Sequence, residues 1–116
     1  MTEKLLELMR RLLQRTHEGV VDWGPGSRAD MFIWSGSTAS VALFTKDNDG
    51  FAPYVVRLTD EGGRPIEEEL VGVDRQEFGG GGSNPNFEVV EKLYHLARSK
   101  ALNIDATIEG LLGELE

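Results

Sequence analysis

The spacing of apolar residues changes twice along this chain, and those two changes limit the folds open to it. In the first segment Leu5, Leu6, Met9, Leu12 and Leu13 recur at steps of three and four, while Lys4, Glu7, Arg10, Arg11 and Gln14 fill the other side. That is the pattern of an amphipathic helix. Thr2 suits its N-cap, Glu3 its positive end and Gly19 a left-handed stop, so the spacing predicts a helix over 3–17. The stretch "DWGPGSRAD" then interrupts any regular element.

Beyond it the period falls to two. "MFIWSG", "ASVALFTK", "YVVRLT" and "PIEEELV" predict strands at about 31–36, 39–46, 54–59 and 65–71, joined through the turns "DNDG" and "DEGGR". Helical spacing returns with Phe87, Val90, Leu93, Tyr94, Ala97 and Ala101, after Asn84 as a cap and Pro85 in the first turn. A break at "NID" precedes a last helix, capped by Asp105, in which Ile108, Leu111, Leu112 and Leu115 form a stripe. The predicted helices span about 85–101 and 105–115. The fold class is α+β: an N-terminal helix, a three- to four-stranded antiparallel meander, and two C-terminal helices packed on one sheet face. At 116 residues the chain is expected to form a single α+β domain over 1–116.

Composition removes several function classes. Twenty acidic against twelve basic residues leave a net charge of −8, which repels phosphate backbones and anionic lipid, so neither direct nucleic-acid binding nor a membrane is expected. The absence of cysteine removes disulfides, thiolate catalysis and Cys-ligated zinc. In "MTEKLLELMRRLLQ" charges interrupt every apolar pair, unlike a signal peptide or a membrane span, and the expected location is the cytoplasm.

No catalytic set assembles from the motifs. "TKDNDG" imitates the start of a calcium loop, but alignment on Gly50 puts Thr45 at the first ligand position and Val56 at the twelfth, where an acidic pair is needed. It reads as a hairpin turn. His17 and His95 have no partner at metal-ligand spacing and read as a helix-end contact and a surface pair with Glu91. Glu67 and Glu69 alternate with Glu68 on a strand, where cross-strand pairing with Arg57 and Arg64 accounts for them. "WSGSTAS" lacks a nucleophile elbow. The run "GGGGSNP" lacks the lysine and hydroxyl of a phosphate loop, and Gly79–Ser83 reads as an exposed, flexible connector. No cofactor or metal is expected.

Two stretches, "TKDNDGFAPYVVRLTDEGGRPIEEEL" and "EKLYHLARSKALNIDATIEGLLGEL", together resemble a group of small bacterial proteins of unassigned function, over about Thr45 to Leu115. In that group a strand, an Asp-rich turn with Pro-Tyr and two further strands lead into a Leu-Tyr-x-x-Ala-Arg helix and a short terminal helix. The glycine run departs from the pattern. The resemblance implies the α–meander–α–α layout and carries no active-site residues.

The functional expectation is a non-catalytic protein–protein interaction module that self-associates as a homodimer and binds a protein partner of unknown identity, in the manner of an antitoxin, immunity or defence accessory protein whose acidity suits a basic partner. Apolar supply on both sheet faces marks Phe32, Trp34, Phe44 and Tyr54 as the expected interaction surface. The alternative is a small enzyme or ligand-binding protein, with a pocket between the sheet and the loops around Trp23 and Phe78 that uses Asp22, Asp30 or His95.

Overall fold

A computed structural model of the chain describes residues 2–72 and 85–116. Helix α1 spans Glu3–His17, and Thr2 caps it by accepting the Leu5 N–H on Oγ1 at 3.1 Å. Gly19 follows with φ +80°, the left-handed turn that ends the helix. Strands β1 (Gly24–Pro25), β2 (Phe32–Ser35), β3 (Ala39–Thr45), β4 (Tyr54–Asp60) and β5 (Pro65–Val71) come next, then helices α2 (Pro85–Ala101) and α3 (Ile104–Glu114). The glycine run 79–83, the expected cap Asn84 and the loop residue Phe78 lie outside the described residues.

The sheet is an antiparallel meander with its strands in chain order. Among the described residues it has five strands where the spacing predicts three or four. The additional one is β1, inside the stretch whose glycines and proline argue against regular structure. Its two residues are strand by pairing rather than by propensity, with Gly24 opposite Ile33 and Pro25 opposite Phe32. On the sheet edge the N–H that Pro25 lacks is no loss.

Register then decides which residues share a face. Phe32 lies opposite Leu43, Leu43 opposite Val56, and Tyr54 opposite both Thr45 and Val71. These side chains, with Val41, form the face that α1 and α2 cover. Met9, Leu12, Val90, Leu93, Tyr94 and Ala97 meet it from the helix side, all at most 4 % exposed. At about 25 cal/mol per Å² of apolar area, this layer is the main source of stability.

The other parity forms a smaller cluster of Met31, Ala42, Phe44 and Val55, with Ile33 packed against it. Arginine side chains shield it in place of a helix: the guanidinium carbons of Arg28 and Arg57 sit 5.0 and 4.7 Å from the Phe44 ring centroid. Cations over an aromatic face keep their heads wet while their stems cover apolar surface.

Of the two C-terminal helices, α2 packs along α1 and across β1, β2, β4 and β5. Helix α3 leaves its end through Leu102 and Asn103, the latter in the left-handed region at φ 51°. It starts one residue before Asp105, which stands in the first turn rather than at the cap, and it buries none of its residues.

Candidate functional site

Three polar constellations tie the fold together. The densest centres on Asp30, in the turn before β2 and 7 % exposed. Its Oδ2 accepts the Thr45 hydroxyl and the Thr45 N–H, the latter at 2.8 Å. Arg28 forks onto both carboxylate oxygens at 3.1 and 3.2 Å, and its Nη2 also donates to the Thr45 carbonyl at 2.8 Å. The Tyr94 hydroxyl donates to the Asp30 carbonyl at 3.0 Å, fastening α2 to the same point.

Thr45 passes this order onward. Its Oγ1 accepts from the N–H groups of Asp49 and Gly50 at 3.2 and 3.3 Å, which shapes the β3–β4 connection. Asn48 and Gly50 take positive φ there, as a tight reversal requires. "TKDNDG" is thus a hairpin connection, held by Thr45 at the position a calcium loop gives to an aspartate.

Burial pushes the Asp30 carboxyl up, but the Thr45 hydrogen bonds and the Arg28 guanidinium outweigh it and hold the group below its ordinary value. Oδ2 takes three donors and Oδ1 takes the Arg28 Nε, so the carboxylate is engaged in holding the turn. The fork and the hydroxyl make Asp30 a clamp.

The second constellation joins α1 to the loop before β1. Thr16 donates to the Leu12 carbonyl at 2.5 Å and accepts the Trp23 indole N–H at 3.0 Å, with both residues buried. The third is a ring stack in which Tyr54 and Tyr94 lie 5.0 Å apart and His95 stands edge-on to both, its Nε2 3.4 Å from the Tyr54 hydroxyl. The polar contact visible for His95 is therefore with Tyr54, forty-one residues away and beyond any local pattern. Burial raises the hydroxyl pKa of Tyr54, with Glu91 and Asp49 adding to it, and burial first and Asp30 second push Tyr94 up to about 12.

The residues of the ligand-pocket alternative do not converge. Asp22 lines a hollow of about 350 Å³ with Trp23 and Lys100, and His95 lines a separate one of about 610 Å³. Asp30 faces neither. Nor do the four residues of the expected interaction surface form one patch. Phe32 and Tyr54 are 1 and 2 % exposed beneath the helices, Phe44 is buried on the opposite face under the guanidinium groups, and Trp34 is half-buried. Of the acidic run on β5, Glu68 pairs with Arg57 at 2.8 Å, while Arg64 turns instead to Asp60.

Val20, Phe51, Ile66 and Leu70 are exposed at separate places, and α3 carries the aligned set of exposed apolar side chains among the described residues. Ile108, Leu111, Leu112 and Leu115 fall on one stripe and are 49, 56, 58 and 82 % exposed. The sequence marks this stripe plainly; that it stays uncovered is a tertiary fact. Comparison with family models, curated proteins and solved structures finds no match to the chain.

Proposed function

We propose that this chain is a non-catalytic protein–protein interaction module that self-associates, with α3 as its recognition element. The observation that supports this reading is the state of α3: an eleven-residue helix with an aligned apolar stripe and no buried residue. Isolated helices shorter than about 12–15 residues are marginal in water, and Gly110 and Gly113 each cost about 1 kcal/mol relative to alanine. Such a helix is stabilised by packing, and within one chain it has almost none. A stripe of this kind, roughly 400 Å², is the size of the largest apolar patch on a typical monomer, which is often functional. The deciding measurement is native mass by light scattering over a range of concentrations. Self-association gives a multiple of 12.8 kDa that Leu111→Asp with Leu115→Asp returns to the single-chain value. A wild-type protein that remains at one chain's mass at millimolar concentration rejects the reading.

A further inference from the structure

We infer that α3 of one copy lies in the groove between α1 and α2 of a second copy, with the exchange reciprocal about a two-fold axis. The inference rests on the self-association reading and adds the receiving surface. That surface is the hollow of about 610 Å³ bounded by His17 at the end of α1 and by Glu91, Lys92, His95, Leu96 and Ser99 of α2. Leu96 of α2 supplies the apolar wall of the hollow. A helix presenting residues i, i+3, i+4 and i+7 fits a groove between two parallel ridges, and Ile108, Leu111, Leu112 and Leu115 have that spacing.

Charge selects this partner over pairing of α3 with α3. Helix α3 carries Asp105, Glu109 and Glu114 and no lysine or arginine. Two such helices side by side bring like charges together. The covering layer has the opposite balance: α1 carries Lys4, Arg10, Arg11 and Arg15 against Glu3 and Glu7, and α2 carries Lys92, Arg98 and Lys100 against Glu88 and Glu91. All seven cations are exposed. An acidic arm therefore meets a pair of helices of net positive charge, in which Lys92 lines the hollow beside Glu91, in a chain that is acidic as a whole.

Size and placement agree with this arrangement. One stripe in one groove removes roughly 800 Å² counted on both surfaces, and reciprocal exchange doubles it to the standard area of a stable interface, about 1,600 Å². His17 and Ser99 place the hollow at the same end of the helix pair from which α3 departs, so both docking events fall near one axis.

The chain has no cysteine, which permits a direct test in the 116-residue chain. Ser99→Cys places a thiol in the groove and Glu114→Cys places one on the arm, both at positions outside the core. The two variants are mixed and treated with a short bismaleimide, with circular dichroism confirming that each is folded. The expected result is a dimeric wild type and a cross-linked product containing one copy of each variant, lost when Leu111→Asp is added to the Glu114→Cys chain. A dimer in which Glu114→Cys links to itself, or in which no mixed product forms, overturns the inference and leaves self-association standing. A monomeric wild type overturns both. Lys92→Glu gives an independent reading: it is expected to weaken the dimer about tenfold, whereas α3–α3 pairing predicts no change.

Discussion

Asp30 gathers donors from three separate stretches of chain, since Arg28, Thr45 and Tyr94 all meet at this residue. Removing the charge strands a guanidinium that is only a third exposed, so Asp30→Asn is expected to cost about 2–3 kcal/mol at pH 7, read from urea unfolding. The sign with pH follows from the lowered carboxyl. Because the folded group titrates below its unfolded value of about 4, its contribution is complete above that value and is lost as pH falls through the folded one. Wild-type stability is expected to fall over that acidic window more steeply than that of Asp30→Asn; equal slopes would remove Asp30 from the account. Thr16→Val tests the other hitch. It keeps the shape but leaves the buried Trp23 indole N–H without its partner, and a loss of about 1–3 kcal/mol in the same measurement is expected. None of these pairings was visible in the sequence, because a single aspartate, threonine or tryptophan carries no local pattern that names a partner fifteen or seven residues away.

At the scale of elements the sequence was more informative, because period and capping are local. Helix α1 follows from its three-four spacing and Thr2, and strands β2 to β5 follow from alternation bounded by turns. Alternation separates two faces without saying which one the helices cover, and for that reason Phe32 and Tyr54 read as surface when they are core. A signal was present. Arg57 and Glu68 share the parity opposite Tyr54, so the parity of Tyr54, Val56 and Leu58 had the better claim to burial. The short strand β1 had no such signal, since its formation depends on Gly26. The Gly26 N–H donates to the Met31 carbonyl at 2.8 Å, and a Cβ at Gly26 would stand 2.3 Å from Met31 Cγ and 2.8 Å from its Cβ. Gly26→Ala is therefore expected to displace Met31 from beneath the open sheet face and to cost about 1–3 kcal/mol, with the Gly24 and Ile33 amides gaining hydrogen exchange before those of β3 and β4.

The whole molecule is longer than its chain length requires. Its radius of gyration is 15.5 Å, against about 13 Å for a compact domain of this size. An arm that buries none of its own residues contributes to that excess, and under the proposed self-association the same arm would link stability to concentration. If α3 is ordered by a second copy, folding and association are one equilibrium, and dilution lowers the thermal midpoint by mass action. For two chains of 116 residues unfolding together, a tenfold dilution is expected to lower the midpoint by about 3 °C. Leu111→Asp with Leu115→Asp should abolish that dependence while leaving the near-ultraviolet signal of Trp23 and Trp34 in place, because neither substitution touches the core. Calorimetry across two decades of concentration reads both effects. A wild-type midpoint independent of concentration would mean that α3 contributes nothing to assembly, whatever its exposed stripe suggests.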